Sequence, residues 1–128
     1  PVAAARRLVG DRTLASSVHG IYEAEAAARD GTDLLVVGTI WPTASHPGRP
    51  GAGTARIAEV CARVRVPVVA IGGVTPERAR EARVAGAAGV AVLRGVWEAG
   101  DPVAAARTYL AAMDAAAEKA GAGEGARR

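Results

Sequence analysis

The chain has 128 residues, the length of a single domain, and half of them are apolar, which is enough for a hydrophobic core. Its net charge is +3, but sixteen basic residues are scattered among thirteen acids, which argues against a nucleic-acid surface. The apolar stretches fall far short of the ~20 residues that cross a bilayer. One cysteine, Cys61, excludes an internal disulfide and fits a reducing compartment. We therefore expect a cytoplasmic protein that contacts neither nucleic acid nor membrane.

Short runs of Val, Leu and Ile alternate with helical segments, the pattern of repeated strand–helix units. In chain order, the predicted elements are a helix at 2–9, a strand at 13–18, a helix at 21–29, a strand at 34–40, a helix at 54–65, a strand at 67–71, a helix at 76–85, a strand at 89–93 and a helix at 102–120. The continuous apolar run at 34–40 predicts burial on both faces of the sheet. Residues 121–128 are predicted to be a flexible, basic, glycine-rich tail.

The strand starts are separated by about 20–30 residues, the spacing of (β/α) barrels, whose right-handed crossovers make the strands parallel. Four units cannot close a barrel, which typically needs ~200 residues or more. We therefore predict the α/β class: parallel (β/α) units over residues 1–120, equivalent to half of a TIM-type (β/α)8 barrel. An open four-stranded sheet and pairing with another chain are the alternatives.

In this architecture, active sites lie at the carboxyl ends of the strands. The loop at 41–53 exceeds the usual connection of ~2–6 residues and carries hydroxyls, an imidazole at His46 and a guanidinium, groups that bind phosphates. Gly72 and Gly73, followed by a helix with a Thr75 cap, would let backbone N–H groups approach a phosphate, or they form a tight turn without a ligand. His46 is favoured over His19 as a proton carrier. We predict no metal site, because no carboxylate follows any of the four strands.

Four motifs carry a family resemblance, and they occur in order at 17–19 (SVH), 37–48 (VGTIWPTASHPG), 67–76 (PVVAIGGVTP) and 89–94 (GVAVLR). Together they resemble thiamine-phosphate synthases and the related thiazole tautomerases. The resemblance implies the C-terminal half of a barrel. In the synthase, an aminopyrimidine diphosphate loses pyrophosphate with the help of Mg²⁺, and the nitrogen of a thiazole phosphate attacks the resulting cation. The magnesium ligands of the family lie in the other half of the barrel. The tautomerase transfers a proton and needs no cofactor.

The resemblance also assigns site residues. Ser17 matches a serine near the diphosphate, and Thr43, Ala44 and Ser45 match the run that holds the thiazole phosphate. His46 replaces a lysine that contacts the diphosphate, and Thr39 stands where tautomerases often have a catalytic histidine.

Three further positions match residues that, in the family, bind the thiazole phosphate through their backbone N–H groups. These are Gly73, within the Gly72–Gly73 pair, and the pair Leu93 and Arg94. Arg94 stands where the synthase commonly has serine, so it adds a positive charge there. A third interpretation is a non-catalytic, phosphate-binding half-barrel. The expected partners are therefore small phosphate or diphosphate substrates and either a second copy of the chain or a complementary half-barrel.

Overall fold

The fold consists of one parallel sheet and six helices among the residues that the computed structural model describes, 2–45 and 47–125. The strands are β1 (Ala15–Val18), β2 (Leu34–Val37), β3 (Val68–Ile71) and β4 (Gly89–Ala91). The helices are α1 (Val2–Val9), α2 (Ile21–Arg29), α3 (Gly53–Cys61), α4 (Pro76–Val84), α5 (Arg94–Trp97) and α6 (Pro102–Gly125). Within that range, no helix is long and apolar enough to cross a bilayer.

The strands follow one another in the order β1-β2-β3-β4, and every neighbouring pair is parallel. Ser17 lies opposite Val36, and Ile71 lies opposite Ala91. Because the strands all run in one direction, their carboxyl ends meet at one edge of the sheet. The predicted α/β class with parallel (β/α) units is confirmed.

The two faces of the sheet differ in burial, as alternating side chains require. Leu35 and Val37 of β2 are completely buried in the same core cluster as Ile57 and Val60 of α3, whereas Val36 on the opposite face is only half-buried. The prediction of burial on both faces at 34–40 is therefore wrong for the described residues. Within them, helices pack against one face only.

Arg6 of α1 holds the amino end of the sheet together. Its Nε and Nη2 donate to the Gly31 carbonyl at 2.9 and 2.8 Å, and its Nη1 donates to the Gly10 carbonyl at 2.6 Å. The guanidinium also forms an ion pair with Asp33, whose Oδ2 accepts the Leu14 N–H at 2.7 Å. That backbone N–H, and then Arg6, lower the pKa of Asp33 below its ordinary value. Helix α1 is thereby attached to the loops that enter β1 and β2.

Several element boundaries differ from those predicted. Strands β2 and β4 end at Val37 and Ala91, before the predicted ends at 40 and 93. The Gly38 and Ile40 N–H groups still donate to the carbonyls of the neighbouring strands, and Ile40 is buried in the core. The short helix α5 was not predicted. Helix α6 continues to Gly125, past the predicted end at 120, although three of its last five residues are glycines, which disfavour helix. Of the predicted tail, residues 126–128 lie outside the described residues.

Candidate functional site

A cavity of about 740 Å³ lies at the carboxyl ends of the four strands. Eight of the nine site residues predicted from the sequence line it: Ser17, Thr43, Ala44, Ser45, Gly72, Gly73, Leu93 and Arg94. The ninth, His46, lies outside the described residues. The fold therefore brings together residues that lie between positions 17 and 94 of the sequence, while their roles remain predictions.

A second cavity, of about 630 Å³, lies between α3, α4 and α6 on the outer side of the helices. It is lined by side chains of both charges, among them Glu77, Arg80 and Glu81. It contains none of the predicted site residues and lies away from the strand ends, where function resides in this architecture. We take the cavity at the strand ends as the candidate site.

The candidate cavity is cationic. Arg49, Arg78 and Arg94 line it, and no described lining residue is Asp or Glu. Arg94 makes an i,i+4 pair with Glu98 at 3.5 Å, but both side chains are more than half exposed, so the pair is weak. Guanidinium groups that line a concave surface without carboxylates attract anions and suit the geometry of phosphate.

The Gly72–Gly73 turn requires glycine for both conformation and space. Its φ angles are +98° and +64°, values that side chains disfavour. A Cβ on Gly73 would lie 2.5 Å from the carbonyl oxygen of Pro42, and a Cβ on Gly72 would lie 2.5 Å from Cγ2 of Thr39. The turn is thus pressed against the loop that follows β2.

Backbone donors in this turn are free to bind a ligand. The N–H groups of Gly73 and Val74 donate to no acceptor among the described residues. Both residues line the cavity. Free N–H groups in a glycine turn ahead of a helix are the usual backbone elements of phosphate sites.

The loop after β2 is fastened to the end of β3. The Trp41 N–H donates to the Gly72 carbonyl at 3.1 Å, and the half-buried Trp41 ring packs against the hydrophobic core. Beyond it, the Ser45 N–H donates to Oγ1 of Thr43 at 3.3 Å. The two hydroxyl-bearing residues and the glycine turn therefore belong to adjacent walls of the cavity.

An ionisable imidazole lies at the β1 side of the cavity. The His19 backbone N–H donates to Oε2 of Glu23 at 2.7 Å, its Nδ1 lies 3.4 Å from the same oxygen, and its carbonyl accepts from Nη1 of Arg56 at 2.5 Å. The His19 backbone N–H is the main cause of the lowered pKa of Glu23. His19, which the sequence analysis ranked below His46, is thus a described cavity residue with a carboxylate partner.

The sequence did not indicate two polar residues of the lining, Thr75 and Arg78, as site residues. Thr75 was identified only as a helix cap, which it is: its Oγ1 accepts the Arg78 N–H at 3.3 Å. The signal was present, because the first turn of a helix that directly follows a glycine turn lies beside the ligand of that turn.

The described residues do not fit a magnesium ion. They contain no group of three or more His, Cys, Asp or Glu side chains that could hold a metal. Mg²⁺ requires oxygen ligands, usually carboxylates, whereas the charged side chains that line this cavity are arginines.

Fold and cavity together define the class: a parallel (β/α) protein with a cationic cavity at the carboxyl ends of its strands. The model of the family described as thiamine monophosphate synthase matches residues 1–96. The chain belongs to this family, which confirms the resemblance drawn from the four sequence motifs.

Individual sequence relatives and a solved structure support this family assignment. The thiamine-phosphate synthase of Mycolicibacterium gilvum is 39% identical over 117 residues, covering 91% of this chain and 49% of the relative. That of Chloroflexus aurantiacus is 41% identical over 121 residues, covering 94% of this chain and 56% of the relative. The solved thiamine phosphate pyrophosphorylase of Pyrococcus furiosus superposes with a TM-score of 0.82 at 28% identity, covering 91% of this chain and 55% of the other. The chain thus spans about half the length of the curated relatives it matches.

Proposed function

We propose that this chain provides the thiazole-phosphate side of a thiamine-phosphate synthase in thiamine biosynthesis. One observation carries the proposal: eight residues predicted from the sequence line a single cavity that contains three arginines and, among its described residues, no carboxylate. Family membership supplies the reaction class, and the cationic cavity is suited to its phosphorylated substrates.

In this proposal, different walls of the cavity bind different parts of the two substrates. The free N–H groups of Gly73 and Val74 and the hydroxyls of Thr43 and Ser45 donate to the phosphate of the thiazole. The guanidinium of Arg94 balances its charge. These contacts hold the thiazole nitrogen in a fixed position for attack, which lowers the entropic part of the barrier.

At the β1 side, Ser17 donates to the diphosphate of the aminopyrimidine substrate. The bond between the pyrimidine methylene carbon and the diphosphate oxygen breaks, and the thiazole nitrogen forms a bond to that carbon. The products are thiamine phosphate and pyrophosphate. We propose that the Mg²⁺ of the family is held by residues outside those described for this chain.

Calorimetric titration tests the binding part of the proposal. We expect the chain to bind thiazole phosphate at least about tenfold more tightly than the unphosphorylated thiazole alcohol, because charge-assisted hydrogen bonds to a phosphate strengthen binding. Equal affinity for both ligands would contradict a phosphate site. The reaction is tested with magnesium and the complementary half of the barrel present, and a chelator should abolish the formation of thiamine phosphate.

A second candidate, the metal-free thiazole tautomerase, is favoured by one observation. His19 lines the cavity, where an imidazole is suited to transfer protons near neutral pH, and its exposed side chain makes a long contact, 3.4 Å, with the Glu23 carboxylate. Turnover of a thiazole carboxylate phosphate that survives chelation would support this candidate. Loss of that turnover in His46→Ala would assign the proton transfer to His46, and loss in His19→Ala would assign it to His19.

We also propose that residues 1–120 act as a half-barrel that pairs through the exposed edges of its sheet. Strands β1 and β4 have one strand neighbour each within the described sheet, so the outer backbone groups of both strands are open to pairing with another strand. Native mass spectrometry tests the pairing. A complex with a different polypeptide supports a complementary half-barrel, a homodimer supports a second copy, and a monomer at micromolar concentration contradicts both.

A further inference from the structure

We propose that Arg78 is a positioning residue, which sets the Gly72–Gly73 turn in the arrangement that binds phosphate. The proposal rests on the proposed function, because it concerns the same site. Arg78 is not among the residues that the family resemblance assigns.

The Arg78 side chain bridges two walls of the cavity. Its Nη1 donates to the Gly73 carbonyl at 2.7 Å, and its guanidinium carbon lies 5.7 Å from the centroid of the Trp41 ring. Gly73 follows β3 and Trp41 follows β2, so one side chain connects the loops of two neighbouring strands. Arg78 itself lines the cavity.

The backbone of Arg78 is held at the start of α4. Its N–H donates to Oγ1 of the N-cap residue Thr75, and that hydroxyl donates to Oε2 of Glu77 at 2.8 Å. With its Cα fixed in the first helical turn, the side chain reaches Gly73 from a rigid base.

Arginine is the residue type that this bridge requires. A guanidinium is planar, so it donates hydrogen bonds in its plane while it stacks on an aromatic face. A lysine ammonium carries the same charge on a compact group without a flat face, so it does not stack on an indole in this way. Among the described residues, no carboxylate pairs with Arg78, so its interactions are those with the Gly73 carbonyl, the Trp41 ring and the cavity.

The contact with Gly73 determines where a backbone donor points. In a trans peptide, the Gly73 carbonyl and the Val74 N–H point in opposite directions. By holding the carbonyl, Arg78 directs the Val74 N–H away from the guanidinium. Two successive glycines with positive φ carry no side chains that would restrict this conformation, so the contact with Arg78 limits rotation of the peptide.

The test uses the full chain in a Trp97→Phe background, so that Trp41 is the remaining tryptophan of the two in the sequence. Arg78→Gln removes the charge and the guanidinium, and Arg78→Lys keeps only the charge. Arg80→Gln is the matched control, because Arg80 lies on the same helix but lines the other cavity. Trp41 fluorescence reports the bridge, titration with inorganic phosphate reports the site, and circular dichroism confirms that each variant folds.

We expect both Arg78 variants to change the Trp41 emission and to lower phosphate affinity about tenfold, the size of one lost charge-assisted hydrogen bond. Arg80→Gln should change neither reading. Full affinity in Arg78→Lys would show that only charge matters and would overturn the positioning role. Unchanged affinity in both variants would overturn it too, while the phosphate site of the parent chain would stand. A parent chain that does not bind phosphate would instead refute the proposed function, and with it this inference.

Discussion

The two ends of the sheet use arginine in different ways. At the amino end, the Arg6 guanidinium donates to several backbone carbonyls and pairs with Asp33, so its N–H donors are all directed at partners within the fold. At the carboxyl end, Arg94 has one weak, exposed partner and lines a cavity without described carboxylates. The comparison shows that the role of an arginine is decided by the acceptors around it.

We expect the amino end of the sheet to contribute to stability and the carboxyl end to contribute to ligand binding. Substitutions at the amino end should change the free energy of unfolding and leave ligand affinity intact, because no amino-end residue lines the candidate cavity. Substitutions at the carboxyl end should lower ligand affinity and leave the free energy of unfolding nearly unchanged, except where a substitution distorts the backbone. Four measurements test this separation, from the largest expected effect to the smallest.

Gly73→Ala should produce the largest loss of phosphate affinity, about a hundredfold, because the new Cβ would displace the loop after β2 and turn the N–H groups away from the ligand. Gly10→Ala is the control. Gly10 also has a positive φ, +58°, but a Cβ there meets nothing within 4 Å. Phosphate titration of both variants checks the prediction, and equal affinities would show that the turn does not form the site.

Arg6→Ala should lower the free energy of unfolding by about 2–3 kcal/mol, since several carbonyls lose their charged donor at once. Phosphate affinity should stay within twofold of the parent. Denaturation with urea measures the stability. Arg7→Ala, which removes an exposed neighbour on α1, should cost less than about 0.5 kcal/mol. A similar loss in both variants would refute the special role of Arg6.

Arg94→Ala should weaken phosphate binding about tenfold, because one guanidinium no longer faces the anion. Stability should change little, since the pair with Glu98 is exposed. Glu98→Ala separates the two effects: it breaks the same pair but removes a negative charge, so affinity should stay equal or rise. A loss of affinity in Glu98→Ala would mean that the pair, and not the free charge, matters.

Asp33→Asn should make the smallest difference, a weaker dependence of stability on acid pH. The pKa of Asp33 is lowered in the folded chain, so its stabilisation is complete above the ordinary value of 3.8 and disappears as the pH falls through the folded value. Thermal unfolding measured from about pH 5 down to about pH 2 should therefore decline less steeply in the variant. Parallel curves for the two proteins would contradict this contribution.

Much of the candidate site could be predicted because its elements are local in sequence. Gly72 and Gly73 follow a buried strand and precede a capped helix, and the loop at 41–53 is conspicuously long, so each signal lies within a dozen residues. Parallel topology then places every strand end at one edge. Arg78 could not be found in this way, because its importance depends on Trp41, which approaches it only after β2 and β3 have paired.

The sequence by itself determined the four strand–helix units, their parallel class and the edge where function lies. These follow from hydrophobic periodicity, turn chemistry and the handedness of crossovers, which act over short stretches of chain. The tertiary structure alone decided which face of β2 is covered, that Arg6 reaches Asp33 across 27 residues of sequence, and that Arg78 lies between Gly73 and Trp41. Such contacts depend on the packing of several elements at once, because side chains distant in sequence meet only when the whole sheet has formed.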